Sequence, residues 1–402
     1  MDSRGNWWVS DYNLDPKVTS KFNLARQEAI ISDCTLREGD QQAGVNFDPN
    51  DKVELAREMD EIGIQEIEPG NPFTSDAEKT ALREIVKRKV DARIMALCTS
   101  GGKQSIDLAL DCDVDGVIIP GIQVGKPQRL YVTKIPDDEA ISRAVELALY
   151  AKSHGLYVVY GATDTTRAEL DLLRRVYTAG VNEAHVDVIR VSDTVGAITP
   201  QGMDYLIRNL KQTVGDVPIQ VHCHDDFGLA TANTLAAYTA GASVLSTSFH
   251  GLGQHAGNAP TEEVILALQV LYGVDIHIQT EKLHALSKLI ESKSGVKNQP
   301  QKAVVGDNIF VYDSGTMISR VMRFPLAGSS YLPEIVGQMR RVVLGKYCNN
   351  DSVLYKLNEM SLKASDDEIR RVVSEIQKET SGGKPYVSDQ EFKDIVRRMK
   401  ET

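Results

Sequence analysis

Several features that mark other protein classes are missing from this 402-residue sequence. No apolar run is long enough to span a bilayer, and the stretch from Met1 to Pro16 lacks the apolar core of a secretory signal. The five cysteines form no C-x-x-C pair, which favours reduced thiols in a cytoplasmic protein over disulfides. The net charge of −11 argues against nucleic acid or an anionic membrane as the main partner, but it permits an anionic small substrate.

What the sequence does contain is a regular alternation of short apolar runs and amphipathic stretches. The runs are rich in Val and Ile, as expected of strands buried on both faces, and helical periodicity follows each of them. They begin at Ala29, Ile64, Ala92, Gly116, Leu156, Val186, Pro218 and Ser243. Eight βα units in succession predict an α/β fold of the (β/α)8 TIM-barrel type. An open, doubly wound sheet is the alternative, because periodicity does not show closure.

The same pattern divides the chain into three parts. It predicts an N-terminal arm over residues 1–28, the barrel over residues 29–280, and a linker with a small, mostly helical C-terminal domain over residues 281–402. In the barrel, a helix over residues 51–62 is expected, with Asn50 or Asp51 as its cap. Beyond the barrel, helices are predicted over residues 283–292, 332–344, 366–379 and 389–400.

Two histidines stand at the end of the seventh predicted strand, in the segment Val221-His-Cys-His-Asp-Asp-Phe-Gly228. Residues i and i+2 on a strand point to the same side, so His222 and His224 project together and Cys223 faces away. Active sites of TIM barrels lie at this end of the strands, and two imidazoles there suit a divalent transition metal. A pair of hydrogen-bonded core histidines is the alternative.

Other strand ends offer side chains that would complete such a site. Glu38, after the first strand, offers a carboxylate ligand, and Arg37 beside it offers a cation for a developing oxyanion; an Arg–Glu surface pair is the alternative. Asn258, after the eighth strand, offers an amide oxygen as a fourth ligand or caps the next helix. After the sixth strand, Thr194 can donate to a substrate carboxylate, and Asp193 can orient a histidine ligand.

Five segments, in this order and at these strand ends, resemble one enzyme family. They are Asp33–Gln41, Ile67–Gly70, Asp193–Gly196, His222–Asp226 and Gly257-Asn258. The chain is similar to the isopropylmalate, homocitrate and citramalate synthases, with hydroxymethylglutaryl-CoA lyase as a more distant relative. The resemblance runs from about Ala29 to Leu271, and more weakly through the tail.

The resemblance implies a role for each matched residue. The family's metal ligands match Glu38, His222, His224 and Asn258, with Zn, Mn, Mg or Co as the ion. Arg37 matches the catalytic arginine, and Gln41 and Thr194 match substrate-binding positions. Glu68, near the end of the second strand, and Arg167, after the fifth, are further expected substrate contacts.

The reaction implied is a metal-dependent carbon–carbon condensation of acetyl-CoA, or another acyl-CoA, with a 2-oxo acid. A metal-dependent aldolase or lyase that cleaves a 3-hydroxy acid or 3-hydroxyacyl-CoA is the alternative, and a non-enzymatic descendant of the barrel is a third. A cytoplasmic homodimer is expected from the family.

The sequence departs from the family at three places that bear on proton transfer. Thr163-Asp164 follows the fifth strand where the synthases usually carry Glu-Asp, which leaves Asp164 as a candidate replacement. In the strand-eight loop, Gln254-His255 replaces Glu-Arg and makes His255 a candidate acid or base. A pair of histidines in the family's second domain is absent from residues 310–317, where Tyr312 or Asp313 is the candidate substitute.

Overall fold

The structure is a computed structural model that describes residues 5–23, 29–99 and 101–401. Eight parallel strands, each hydrogen-bonded to the next along the chain, form a closed barrel, in which β8 pairs back with β1. The strands are β1 (Ile30–Asp33), β2 (Glu66–Gly70), β3 (Arg93–Leu97), β4 (Gly116–Gln123), β5 (Tyr157–Thr163), β6 (Val188–Asp193), β7 (Ile219–Cys223) and β8 (Val244–Thr247). Closure confirms the predicted TIM barrel over the open sheet.

One short helix precedes the first strand, and the other helices of this part of the chain follow the strands. They are α1 (Pro16–Thr19), α2 (Pro49–Ile62), α3 (Asp76–Lys87), α4 (Lys103–Leu110), α5 (Lys126–Gln128), α6 (Asp137–Ser153), α7 (Leu170–Asn182), α8 (Pro200–Val214), α9 (Ala230–Ala240), α10 (Thr261–Leu271) and α11 (Leu283–Ser294). The cap of α2 is Asp48, rather than the predicted Asn50 or Asp51. Both of those residues donate their backbone N–H groups to the Asp48 carboxylate, and Pro49 fits the first helical position.

The lower part of the barrel interior is filled by apolar side chains. A buried cluster is formed by Met95, Leu97, Ile118, Val159, Val188 and Val244. These residues come from β3, β4, β5, β6 and β8, so the barrel is a packed core rather than a pore.

Two compact units make up the described chain. One is Asp11–Asn298, which contains the barrel, and the other combines Met1–Ser10 with Gln299–Thr402. The division falls at Asn298 rather than at the predicted residue 280, because α11 packs with the barrel helix α2. Residues 24–28 of the predicted arm lie outside the described residues.

The second unit is largely helical, as predicted. Its helices are α12 (Gly315–Arg323), α13 (Asn350–Glu359), α14 (Asp366–Thr380) and α15 (Asp389–Glu401), and its strands β9 (Val311–Tyr312) and β10 (Arg341–Val342) pair in parallel. The helix predicted over residues 332–344 is wrong. A 3-10 turn forms there at Pro333–Val336, Gly337 ends it in a left-handed conformation, and the short strand β10 follows.

Among the helices of the described residues, none has the length and the apolar composition needed to cross a membrane. All five cysteines are free and buried.

Candidate active site

Strand β7 delivers the two predicted histidines to the same side of the barrel. His222 lies within the strand and His224 directly after it, and their ring centroids are 5.2 Å apart. Cys223 between them is fully buried, as strand alternation requires. Glu38 joins them from the loop after β1, with its Oε1 atom 3.8 Å from His224 Nε2. We call Glu38, His222 and His224 the carboxylate–histidine cluster; one ligand atom of each lies within 4.8 Å of the others.

Asn258 lies against this cluster. Its amide is 3.3 Å from His222 Nε2, and its Oδ1 atom is buried with no hydrogen-bond partner in the described part of the chain. A Cβ atom on Gly253 would come within 2.0 Å of that oxygen, so a larger residue there would displace the side chain of Asn258. An unpaired buried oxygen next to three ligand groups is what a cation site requires.

Both imidazoles are suited to act as ligands. Burial and the positive charge of Arg190 hold the pKa of His222 well below its usual value, and burial lowers the pKa of His224 to about 4. The rings are therefore neutral at physiological pH, and each has a lone pair for a metal. Two neutral imidazoles, one carboxylate and an amide oxygen form a donor set that fits a divalent transition metal.

Ser246 on β8 orients His222. Its Oγ atom is 3.0 Å from His222 Nδ1, which leaves Nε2 to face the cluster. The predicted orienting residue, Asp193, is wrong for this role. Its carboxylate accepts hydrogen bonds from the hydroxyl of Thr166 and the backbone N–H of Ala197. Its contact with His224 is between backbone atoms: the N–H of His224 donates to the carbonyl oxygen of Asp193 at 3.2 Å.

We expect Ser246→Ala to weaken metal binding by about 10- to 100-fold, because the ring of His222 loses the group that fixes it. Isothermal titration of the apoprotein with Zn²⁺ measures the change. Ser248→Ala is the matched control, since this buried serine lies two residues further on and its hydroxyl contacts Thr35 instead. Equal affinities in the two variants would contradict the assignment.

A buried ion network lies beside the cluster. Glu68 on β2 has no exposed surface, and it accepts from Arg37 Nη2 at 2.5 Å and from Arg190 Nη1 at 2.8 Å. Arg37 also contacts Glu38, and Arg190 Nη2 donates to Ser246 at 3.3 Å. Sequence reasoning missed Arg190, although a charged residue inside the apolar run of β6 signals a buried partner.

A cavity of about 480 Å³ lies over the cluster at the carboxyl ends of the strands. The carboxylate–histidine cluster and Arg37 line it, together with Gln41 and Thr194, two of the predicted substrate contacts. Glu68, another of the four predicted substrate contacts, lies outside the lining and pairs with the two arginines instead. The cavity is of the size that small-molecule sites have in enzymes.

Comparisons with known proteins agree with this geometry. The family model described as HMGL-like matches residues 28–290. The chain belongs to the HMGL-like family. It is 39% identical over 394 residues to homocitrate synthase AksA of Methanothermobacter thermautotrophicus, with 98% of each chain covered. It is 40% identical to 2-isopropylmalate synthase of Methanocaldococcus jannaschii, with 94% of this chain and 73% of the relative covered.

A third relative is (R)-citramalate synthase CimA of Methanocaldococcus jannaschii, at 36% identity with 92% of this chain and 74% of the relative covered. Among solved structures, hydroxymethylglutaryl-CoA lyase from Pseudomonas aeruginosa is similar with a TM-score of 0.59 and 19% identity, over 68% of this chain and 95% of that one. At that identity the likeness concerns the fold.

In this HMGL-like chain, the segment after β5 differs from the sequence expectation. Thr163 lines the cavity, whereas the carboxylate of Asp164 is held by Arg167, through two contacts of 2.8 Å. Both Asp164 and Arg167 lie outside the lining of the cavity. The backbone N–H of Asp164 donates to Thr194 Oγ1 at 2.8 Å, so this segment positions a lining residue.

The strand-eight loop brings His255 to the rim of the cluster. Its ring centroid is 5.4 Å from that of His224, and its Nδ1 atom is 3.6 Å from a carboxylate oxygen of Asp226. The neighbouring Gln254 donates to Gln41 Oε1 at 2.9 Å and to Glu38 Oε1 at 3.3 Å. His255 therefore stands near the cluster with a carboxylate partner, as a general acid or base needs.

Tyr312 belongs to the second unit. Its hydroxyl donates to the backbone carbonyl of Gly328 at 3.3 Å, within that unit. Its role in proton transfer stays a prediction.

Proposed function

We propose that the chain condenses acetyl-CoA with a 2-oxo acid, using a divalent ion held by Glu38, His222 and His224 with Asn258 as the fourth ligand. The buried carboxylate–histidine cluster at the floor of the cavity carries the proposal. The named relatives, which are homocitrate, 2-isopropylmalate and citramalate synthases, support the reaction class. When bound, the ion would polarise the carbonyl of the 2-oxo acid. Zn, Mn, Mg and Co are the candidate metals.

Arg37 stabilises negative charge that develops on the carbonyl oxygen as the new bond forms. Its guanidinium lines the cavity, is 6% exposed and is fixed by Glu68 and Glu38. A cation held in place before the reaction costs no reorganisation when the charge appears, and low water content strengthens its effect.

The hydroxyls of β6 bind the substrate carboxylate. Ser192 and Thr194 both line the cavity, two residues apart on the same side of the chain. Because Thr194 Oγ1 accepts from the Asp164 backbone, its own hydrogen remains to be donated to the carboxylate. His255, backed by Asp226, is the residue we assign to proton transfer at the acyl donor.

After the condensation, water cleaves the thioester of the product, and the CoA thiol is the leaving group. Release of free CoA therefore tests this function. Metal-loaded protein is given acetyl-CoA and a panel of 2-oxo acids, and thiol formation is followed with a chromogenic disulfide. We expect release with at least one 2-oxo acid, and its loss in Glu38→Ala. Absence of release with every acid, in protein that contains one metal per chain, would reject the synthase and favour the lyase alternative. That alternative is tested by cleavage of a 3-hydroxyacyl-CoA.

The remaining expectations stay predictions. They concern the homodimer, the cytoplasmic location, the absence of nucleic-acid and membrane partners, and the division of the chain into an arm, a barrel domain and a C-terminal domain. Light scattering after size-exclusion chromatography measures the first of these.

A further inference from the structure

The cavity has two chemically different sides. The carboxylate–histidine cluster comes from β7 and the loop after β1, with Asn258 from the loop after β8. In a closed eight-stranded barrel, β4 lies opposite β8. The side of the cavity away from the cluster is therefore formed by β3 and β4.

Apolar side chains form most of that far side, where the uncharged polar residues Thr99 and Gln123 also line the cavity. We call the residues Leu97, Ile118, Pro120 and Ile122 the acceptor wall; all four line the cavity. The register of β4 shifts between Gly121 and Ile122, and a Cβ atom on Gly121 would meet Ala144 of α6 at 2.8 Å. A side chain at position 121 would therefore point towards α6, and the irregularity lets Ile122 join Pro120 in the lining of the cavity.

The acceptor wall has no cation to offer. Among the described residues that line the cavity, Arg37 and Arg190 are the only ones with a lysine or arginine side chain. Each of them forms a salt bridge with Glu68. Arg129, which follows β4, lies outside the lining and pairs with Asp137 and Glu169. A carboxylate that reached the wall would lose its hydration without gaining a charged partner, which is strongly unfavourable.

We propose that the acceptor is a monocarboxylic 2-oxo acid with an apolar side chain, which lies against the acceptor wall, and that dicarboxylic 2-oxo acids are excluded. This inference rests on the proposed function and adds its substrate class. The named relatives leave the choice open, because they include homocitrate, 2-isopropylmalate and citramalate synthases. Burial against the wall makes binding about fourfold tighter for each methylene added to the side chain, until the cavity is full.

Direct binding tests the substrate class without turnover. Zn²⁺-loaded protein, free of acetyl-CoA, is titrated calorimetrically with pyruvate, 2-oxobutanoate, 2-oxopentanoate and 2-oxoglutarate. We expect the dissociation constant to fall about fourfold with each methylene along the first three acids. We expect 2-oxoglutarate to bind at least about tenfold more weakly than 2-oxopentanoate, which has the same number of carbons.

Tighter binding of 2-oxoglutarate than of 2-oxopentanoate would overturn the substrate class and leave the synthase intact. If none of the four acids binds, the proposed function fails, and the substrate class fails with it. The two failures are thus distinguished by the titration itself.

A variant of the acceptor wall gives an independent test. Ile122→Arg places a cation near the end of β4, beside the exposed Gln123, and Ile122→Met is the matched apolar control. We expect the arginine variant to bind 2-oxoglutarate at least about tenfold more tightly than the methionine variant does. Circular dichroism verifies that both are folded. Equal binding of 2-oxoglutarate by two folded variants would show that the side chain of the acceptor does not reach the wall.

Discussion

Replacement of His224 by alanine is expected to remove the tightly bound divalent ion and to lower CoA release by about a thousand-fold. Only one imidazole and one carboxylate of the carboxylate–histidine cluster would remain, with the amide of Asn258 beside them. The ion supplies several kcal/mol to the transition state, and each 1.4 kcal/mol corresponds to a factor of ten in rate. Metal content after dialysis is measured by mass spectrometry, and the rate by the thiol assay.

Cys223→Ala provides the matched control for this loss. Cys223 neighbours both histidines in sequence but points to the opposite side of β7, where it is fully buried. The variant should retain one ion per chain and most of the activity, at a modest cost in stability. A His224→Ala protein that kept its ion with wild-type affinity would contradict the assigned ligands.

Replacement of Glu68 by glutamine is expected to lower the free energy of unfolding by about 3–5 kcal/mol. Glu68 is the carboxylate that Arg37 and Arg190 share, and all three side chains are buried. The variant would keep the shape of the side chain but leave Arg190 buried without a carboxylate. Urea unfolding followed by circular dichroism measures the change.

Two further variants test whether this loss of stability comes from the uncompensated arginine or from any substitution in β2. Glu66→Gln, two residues earlier on the strand, removes the partner of Arg93, whose side chain is 36% exposed, and should cost much less. Adding Arg190→Met to Glu68→Gln should restore part of the lost stability, because the uncompensated cation is then absent. A loss below about 1 kcal/mol in Glu68→Gln would contradict the description of the network as a buried, mutually dependent set.

The barrel could be predicted from the sequence because its signal is local and repeated. Each strand is a short Val- and Ile-rich run followed by helical periodicity, and all eight runs became strands. The second unit offered no such repeat. The apolar spacing over residues 332–344 looked helical, but Pro333 and Gly337 limit it to one turn, and α12 and α13 were not predicted.

The candidate site could be predicted to the extent that its residues stand at strand ends. Glu38, His222, His224 and Asn258 come from three different segments of the chain, at the ends of β1, β7 and β8, and the closed barrel brings them together. The hydrogen-bond and salt-bridge partners of these side chains could not be predicted from the sequence, because they depend on distances in the folded barrel. Glu68 accepts a hydrogen bond from Arg190, which lies 122 residues later in the sequence. Arg167, three residues after Asp164, binds the carboxylate of Asp164 outside the cavity.

The separation of the acceptor wall from the ion network has a consequence for how such a barrel can diversify. Every charged residue of the network touches another, so a change at Glu68 or Arg190 alone is penalised until a second change compensates it. The wall on β3 and β4 consists of apolar side chains that can be exchanged singly at small cost. Single substitutions in the acceptor wall can thus change which 2-oxo acid is accepted. The residues of the ion network and the carboxylate–histidine cluster, on the other half of the barrel, stay the same.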